Sequence, residues 1–231
     1  MLNLTFRTGA GISLESGLPL YTNPAETKVH ESRFGYKLQD MQDNRERPIE
    51  YYNLIANKVS HATPSDAHCF IASLEAHYNV SVITQNIDDL HERAGSNKVV
   101  HLHGQINYQH TEQHCCRREK TYERIAYNNK CKHGSRWRHS IVLYDDPVQG
   151  VKAARRICAL TDVLIVIGCS MQTNTANLLV KQVHEACPVY FVNPHPSVIP
   201  ERSKEIKAPA YQGIWTVLSE LTGSTISLNG V

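Results

Sequence analysis

The stretch Thr84-Gln85-Asn86-Ile87-Asp88, followed shortly by His101-Leu102-His103-Gly104, decides the fold prediction for this chain. Runs rich in valine and isoleucine precede both stretches, and short apolar runs of this kind predict buried strands. The amides, carboxylate and imidazole would then lie where those strands end. Open α/β sheets bind their ligands at that edge. The sequence therefore predicts a polar ligand site at the carboxyl ends of parallel strands.

A glycine-bearing turn, Thr8-Gly9-Ala10-Gly11-Ile12-Ser13, follows an apolar segment at the start of the chain. Gly9 and Gly11 would let the backbone approach a phosphate, and the helix N-terminus behind them would favour its negative charge. Leu14 stands where the usual dinucleotide fingerprint has its third glycine. A tight strand-to-helix turn without a ligand therefore stays open as the alternative.

Further apolar runs predict strands over 140–144, 162–167 and 189–192, and helical patterns cover 67–77, 150–160 and 176–186. Strands that alternate with helices favour a parallel sheet covered on both faces. The residues after 167 and 192 should therefore lie at the same sheet edge as Gly9 and Asn86.

Composition bounds the class of protein without naming a partner. The formal net charge of +2 and pI of about 8.1 are too mild to indicate nucleic acid or a membrane. Seven cysteines, with neither a signal pattern nor an apolar run near twenty residues, favour a cytoplasmic chain. The oligomeric state cannot be predicted from these features.

Five separated motifs follow one another in an order that resembles the sirtuin (Sir2) family of NAD-dependent protein deacylases: Gly9–Ser13 with Glu15-Ser16-Gly17, Thr84–Asp88 with Leu90-His91 and Ala94-Gly95, His103-Gly104, Gly168-Cys169-Ser170, and Val192-Asn193. The resemblance implies a Rossmann-like parallel sheet with helices on both faces plus a small insertion domain. It implies a single catalytic domain over 1–231, with the small domain inserted at 20–60 and 105–139.

The resemblance also implies a mechanism in which NAD is cleaved at its nicotinamide–ribose bond while an acyl-lysine oxygen attacks the ribose carbon. His103 would be the general base, which suits an imidazole because its ordinary pKa of about 6.5 is close to working pH. A buried histidine satisfied by backbone is the alternative, and His101 is the better candidate for that structural role. Asn86 and Asp88 would serve the nicotinamide side, although Asp88 could instead cap a helix.

The residues that the resemblance assigns to the cofactor come from every motif. Tyr21 would cover the nicotinamide, and Ala210 and Tyr211 would line the adenine from the loop before the last helix. Asn193 could instead be a turn residue before Pro194. The complete set is Gly9, Ala10, Gly11, Ile12, Ser13, Ser16, Tyr21, Gln85, Asn86, Ile87, Asp88, Gly168, Cys169, Ser170, Asn193, Ala210 and Tyr211.

Two departures from the family pattern concern the cofactor side. Thr22 stands where relatives carry an arginine for the cofactor phosphates, and losing a charge-assisted pair costs on the order of 1.5 to 3 kcal/mol. Lys28, Arg33 or Arg7 could substitute. Arg7 is itself unusual in a buried first strand, because a buried guanidinium needs a carboxylate, a phosphate or solvent.

Other departures concern the acyl-lysine substrate. Its peptide should add as a strand beside 142–146, contacting Val142, Tyr144 and Asp146. Asp145 replaces a glycine there. In the helical stretch 51–55, Tyr52 matches the tyrosine of relatives that are selective for acidic acyl groups. Ile55, however, stands where those relatives carry arginine. We therefore predict no preference for succinyl- or malonyl-lysine.

The cysteines of 105–139 do not form the two spaced pairs that hold zinc in most sirtuins. Cys115 and Cys116 are adjacent and Cys131 stands alone, with His110, His114 and His133 nearby. Adjacent cysteines suit tetrahedral zinc poorly. We expect no zinc, as in the zinc-less bacterial members of the family, with a mixed Cys/His site as the alternative.

The sequence thus predicts an NAD-dependent protein-lysine deacylase, specifically a deacetylase, that releases nicotinamide and O-acyl-ADP-ribose. An NAD glycohydrolase, in which water replaces the acyl oxygen, is one alternative, and Asp145 favours it. A sirtuin-fold module that binds NAD or ADP-ribose without efficient turnover is the other.

Overall fold

The computed structural model describes residues 1–20, 36–113, 116–170, 179–195 and 198–223. Its strands are β1 (Asn3–Thr8), β2 (Asn79–Thr84), β3 (Val99–His101), β4 (Gly104–Thr111), β5 (Glu119–Lys120), β6 (Trp137–Ile141), β7 (Val163–Ile167), β8 (Val189–Val192) and β9 (Ser203–Ile206). Its α-helices are α1 (Leu38–Asp43), α2 (Glu46–His61), α3 (Asp66–Ser73), α4 (Leu90–Arg93), α5 (Val151–Ala159) and α6 (Ala210–Thr222). Short 3-10 turns cover Ala10–Ile12, Leu14–Ser16 and Leu74–Ala76.

Six strands form one parallel sheet in the order β3-β2-β1-β7-β8-β9. Thr8 at the end of β1 is in register with Thr84 of β2 and Ile167 of β7, and Ile167 is in register with Val192 of β8. The carboxyl ends of these four strands therefore meet at one edge, as predicted. We call this edge the rim.

Both faces of the parallel sheet are covered, which explains why its central strands are apolar at nearly every position. Leu4 and Phe6 of β1 pack with Ile71 of α3 and Ile214 of α6 on one face. On the other face Cys158 of α5 packs in a second core with β2, β7 and β8 residues. The predicted Rossmann-like sheet with helices on both faces is confirmed.

A second, antiparallel sheet has the order β5-β4-β6, and it carries a hydrophobic core of its own. Tyr52 and Ile49 of α2 pack there with Ile106 of β4 and Trp137 of β6. We call β4, β5 and β6 the small sheet. Helix α2, which precedes β2 in the sequence, and the small sheet, which follows β3, therefore share one core.

Several predicted boundaries are wrong. The strand predicted over 140–144 is β6, which begins at Trp137 and ends at Ile141. Of the helix predicted over 176–186, residues 179 and 180 are helical but 181–187 form turns. There Cys187 bonds the His184 carbonyl, three residues back, and the His184 ring accepts the Ala186 amide. These local bonds replace the i−4 pattern of an α-helix. Strand β9 was not predicted.

Candidate functional site

The loops after β1 and β7 pack directly against each other at the rim. The Gly11 amide donates to the Gly168 carbonyl at 3.0 Å, and the Gly9 amide donates to Ile167 at the same distance. A Cβ at Gly9 would lie 2.7 Å from the Gly168 oxygen, and one at Gly168, where φ is +60°, would lie 2.6 Å from the Ile12 nitrogen. The glycines thus bring two backbones together, while Ala10 and Gly11 remain partly exposed.

Asn86 joins the loops after β1 and β2. Its Nδ2 donates to the Gly9 carbonyl at 3.1 Å and to the Ser13 hydroxyl at 3.0 Å. The Ser13 hydroxyl in turn donates to Asp88 at 3.0 Å, and the other Asp88 oxygen accepts the Leu90 amide at 3.2 Å. Burial raises the pKa of Asp88, although both hydrogen bonds oppose that shift. One carboxylate therefore bonds both the Ser13 hydroxyl and the first amide of α4, although the N-cap residue of that helix is Asp89.

The two histidines at and just after the end of β3, His101 and His103, have different surroundings. His101 is held on both sides, because its Nδ1 lies 3.0 Å from the Asn86 carbonyl and its Nε2 lies 2.8 Å from Glu92. His103 is partly exposed at the rim, and its ring bonds the Gln85 backbone carbonyl. Burial lowers the pKa of His103, the hydrogen bond to Gln85 opposes this, and the charge of Arg7 lowers it further. His103 is consequently neutral at pH 7 and able to accept a proton.

A buried pair of histidines beneath the first loop was not predicted. His91 lies 3.0 Å from the Thr8 hydroxyl, and its ring contacts that of His68, with centroids 4.7 Å apart. The His68 Nδ1 accepts from Ser65, whose hydroxyl also lies 3.4 Å from the Ile12 carbonyl. Burial lowers the pKa of His68 to about 4 and that of His91 well below its ordinary value. Two neutral rings therefore hold the turn after β1: His91 bonds Thr8 directly, and His68 bonds Ser65, which in turn bonds Ile12.

Arg7 is fully buried on β1, so solvent is excluded as its partner. Its charge lowers the pKa of His103 and partly offsets the effect of burial on Cys158 and Cys169. The guanidinium therefore lies on the α5 side of the sheet. Thr22, Lys28 and Arg33 lie outside the described residues, as does Tyr21.

The residues predicted to bind the adenosine half of NAD differ in their exposure and in the elements that carry them. Ser170 is exposed, whereas the Cys169 side chain is buried and only its backbone reaches the rim, where its carbonyl accepts from Asn193 at 3.3 Å. Asn193 also accepts the His195 amide, as its turn interpretation predicts. Ala210 and Tyr211 were predicted to lie in the loop before the last helix. They instead lie in the first turn of α6, with Pro209 at the N-cap position.

Asp89, directly after Asp88, contacts the small sheet instead of the rim. It accepts from the Asn107 amide at 2.8 Å and from the Tyr122 hydroxyl. Burial raises the pKa of Tyr122, and the hydrogen bond to Asp89 and its charge add to the shift. No local pattern in the sequence predicts this contact, because Asp89 is distant in sequence from Asn107 and Tyr122.

Segment 142–146, predicted to bind the substrate peptide, already makes several main-chain contacts. The Val142 amide donates to the His103 backbone carbonyl at 2.9 Å, and the Tyr144 amide donates to the Tyr36 carbonyl at 3.0 Å. The Leu143 amide donates to the Asp146 side chain at 3.1 Å. All three donors of 142–144 are therefore used within the protein. The Tyr144 side chain is 57% exposed, while Val142 and Asp146 are partly buried.

Asp145 has a clear structural role in this chain. Its Oδ1 accepts the amide of Leu38, the first residue of α1, at 2.9 Å. Behind it, Tyr36 contacts the rings of Tyr51 and Tyr52, with centroids 5.5 and 6.1 Å away. Tyr52 is buried, which raises its pKa, and Ile55 packs against the same core. The segment before α1 and segment 142–146 are thus bound to each other.

No group of three or more His, Cys, Asp or Glu side chains within the described ranges is arranged to hold a metal ion. His114 and Cys115 lie outside those ranges. Cys131 accepts the His133 amide at 3.4 Å. The expectation that zinc is absent stays a prediction.

Comparison with known proteins decides the family. Residues 9–175 match the model of the Sir2 family. The chain belongs to the Sir2 family. The resemblance inferred from the five motifs is therefore confirmed. The family model ends at residue 175, and so it includes His103 and the loops after β1, β2 and β7.

Relatives of this Sir2-family chain match over most of its length. A protein named NAD-dependent protein deacylase from Aggregatibacter actinomycetemcomitans is 34% identical over 82% of this chain and 92% of its own. One with the same name from Helicobacter pylori is 32% identical over 84% and 85%. A solved Sir2 homologue mutant in complex with ADP-ribose superposes with a TM-score of 0.84 at 28% identity, covering 98% of this chain and 95% of the other.

The described rim of this Sir2-family protein fits a nucleotide cofactor. It combines hydroxyl, amide and carboxylate groups from two loops, and the buried Ser16 hydroxyl has no hydrogen-bond partner among the described residues. Ser170, Gln85 and Asn193 add polar groups that are at least partly exposed. Within the part of the chain that the structure describes, no helix is long and apolar enough to span a membrane.

Proposed function

We propose that this chain is an NAD-dependent protein-lysine deacylase that acts on acetyl-lysine. The observation that carries the proposal is His103, a neutral and partly exposed imidazole at the rim beside the Asn86–Ser13–Asp88 network. NAD dependence follows from the family and from the names of its relatives. The acetyl preference and the residue roles are inferences from the site.

Each predicted cofactor group would hold a different part of NAD. The loops after β1 and β7, with Gly9–Ser13 and Gly168–Ser170, would face the phosphates, and Asn193 the adenosine. Gln85, Asn86 and Asp88 would face the ribose and nicotinamide. When bound, NAD supplies a ribose carbon from which nicotinamide can leave as the acyl oxygen attacks.

His103 would take a proton from a ribose hydroxyl. Its bond to the Gln85 carbonyl uses one ring nitrogen as the donor and leaves the other as the acceptor. A neutral ring is the form that a general base needs. Asn86 and Asp88 would act with it by orienting the nicotinamide end of the cofactor.

The substrate would be an acyl-lysine in a protein or peptide, bound beside Val142, Tyr144 and Asp146 with Tyr52 behind the acyl group. We also propose that segments 20–60 and 105–139 together form the small domain, since residues from both share one core. A cytoplasmic location is supported by the cysteines, because Cys69, Cys158, Cys169 and Cys187 are free thiols.

One observation favours the NAD glycohydrolase as a second candidate. The amides of Val142, Leu143 and Tyr144 are already bonded within the protein, so a peptide strand would gain fewer main-chain bonds there. Water needs no such groove. The two candidates share the rim and differ in their need for segment 142–146.

Product analysis separates these functions. The purified protein is incubated with NAD, with and without an acetyl-lysine peptide, beside a His103→Ala variant. The deacylase is expected to release nicotinamide only with peptide and to form acetylated ADP-ribose, and the variant should lose at least a hundredfold in rate. Free ADP-ribose without peptide would replace this proposal with the glycohydrolase. NAD binding without any turnover would support the binding module.

A further inference from the structure

Three arginines lie together between α1, α2 and the small sheet. Arg45 is buried, Arg138 is 12% exposed and Arg136 is half exposed. Among the described residues they form ion pairs with only two carboxylates: Glu112 contacts Arg45 and lies 3.7 Å from Arg136, and Asp146 lies 3.1 Å from Arg138. We call these three residues the arginine cluster.

The arginine cluster holds more positive charge than its carboxylates balance. Burial lowers the pKa of Arg45, and the charges of Arg136 and Arg138 lower it further, while Glu112 opposes the shift. The Arg138 Nη1 is buried and has no hydrogen-bond partner among the described residues. A buried guanidinium with an unbonded N–H group is stabilised by a nearby anion.

Two cavities open on the arginine cluster. The first has a volume of about 440 Å³ and the second about 350 Å³, and both are lined by Glu112 and Arg136. Lys130 adds a positive charge to the first cavity, and Arg138 adds one to the second. Each cavity is large enough to admit several side-chain atoms.

The second cavity borders the segment where the substrate peptide is expected to bind. Leu38 lines this cavity, and its amide donates to Asp145. Arg138 lines it as well and donates to Asp146. The second cavity, with Arg136 and Arg138 in its wall, therefore lies next to the place expected for a peptide along 142–146.

We propose that the two cavities bind acidic side chains that flank the acyl-lysine of the substrate. This inference rests on the proposed function, because it supplies that function with a substrate class. Aspartate or glutamate a few residues from the lysine would meet Arg136 and Lys130, which are exposed, while Arg138, whose Nη1 is buried, adds positive charge behind them. Peptides with basic flanks would be repelled by the same groups.

The test uses three acetyl-lysine peptides of equal length with glutamate, glutamine or lysine on both sides of the lysine. Their affinity for the full chain is measured by fluorescence anisotropy at low salt and at 0.5 M salt, and their turnover with NAD is measured in parallel. The glutamate peptide is expected to bind about fivefold more tightly than the glutamine peptide at low salt. The difference should nearly vanish at high salt, because exposed charge pairs are screened.

A double variant, Lys130→Gln with Arg136→Gln, should lose this preference and keep its affinity for the glutamine peptide. Lys132→Gln is the matched control, since Lys132 is exposed on the same loop and lines neither cavity. Equal affinity for the glutamate and glutamine peptides, or a preference that survives in the double variant, would overturn the inference. Failure of the proposed function would appear differently, as an absence of product from every peptide whatever their relative affinities.

Discussion

The rim and segment 142–146 are both expected to bind ligands, but their groups are used differently. At the rim, Asn86, Ser13 and Asp88 bond to one another, while neighbouring groups such as Ser170 stay exposed. In segment 142–146 the amides of Val142 and Tyr144 and the Asp145 carboxylate bond to other parts of the chain, and the Leu143 amide bonds to Asp146 within the segment. The rim is thus arranged for a ligand in advance, whereas peptide binding competes with contacts that the protein already makes.

Gly168→Ala should break the rim most severely. The new Cβ would lie 2.6 Å from the Ile12 nitrogen, and φ at this position is +60°. Backbone atoms must then shift, so we expect a loss of at least a hundredfold in NAD affinity and about 3 kcal/mol in the free energy of unfolding. Calorimetric titration with NAD and urea denaturation measure both effects.

Gly134→Ala is the matched control for that experiment. Gly134 also has a positive φ, of 82°, but a Cβ there would meet nothing within 4 Å. Only the conformational cost of about 1 kcal/mol is expected. Equal effects of the two substitutions would contradict the close packing of the loops after β1 and β7.

Asn86→Ala should weaken the rim next most strongly. It removes both side-chain bonds that join the loop after β2 to Gly9 and Ser13, although the Gly9 carbonyl keeps the Ile12 amide as a donor. The KM for NAD should rise about tenfold or more, with a much smaller change in affinity for the peptide. Asn97→Ala, at an exposed asparagine that bonds Glu75, serves as the control. If peptide affinity fell as much as NAD affinity, the separation of the two regions would be wrong.

The pH dependence of the rate tests His103 itself. Its pKa lies below the ordinary value, so the neutral base is present above that pKa and is lost as the pH falls through it. We expect kcat/KM to be flat from pH 7 to 8 and to decline below pH 6.5, approaching tenfold per unit. A midpoint above pH 7 would contradict this assignment.

Stability must be followed over the same pH range. His68 and His139 have folded-state pKa values of about 4, so unfolded chains bind protons more readily between pH 6.5 and 4. The contribution of these two histidines to the free energy of unfolding is therefore fully present above pH 6.5 and decreases as the pH falls. Circular dichroism at each pH distinguishes this loss from titration of His103.

Asp145→Gly should produce the smallest change, and it acts on the peptide side alone. Removing the carboxylate frees the Leu38 amide and loosens the contact between α1 and segment 142–146. We expect kcat/KM for an acetyl-lysine peptide to rise about threefold, with the KM for NAD unchanged. Asp145→Asn keeps an oxygen acceptor and should behave like the unaltered protein. A fall in peptide turnover with glycine would show that Asp145 assists binding.

The features that depend on residues close together in the chain were predicted best from the sequence. Short apolar strands followed by Asn86, His103 or Gly168 predicted the parallel sheet and its rim, because the polar residues directly follow the strand residues that position them. The contacts of Asp145 with Leu38, and of His91 with Thr8, join residues distant in sequence and leave no local pattern. The helix expected over 176–186 failed at its described end for a local reason, the bonds around His184.

Asp88 and Asp89 connect the two sheets through neighbouring residues. Asp88 is bonded to Ser13 beside the parallel sheet, and Asp89 is bonded to Asn107 and Tyr122 of the small sheet and its following loop. One peptide unit, about 3.8 Å between Cα atoms, separates these two anchors. A tilt of the small sheet would therefore be transmitted to Ser13 and the loop after β1 through a single, rigid peptide unit.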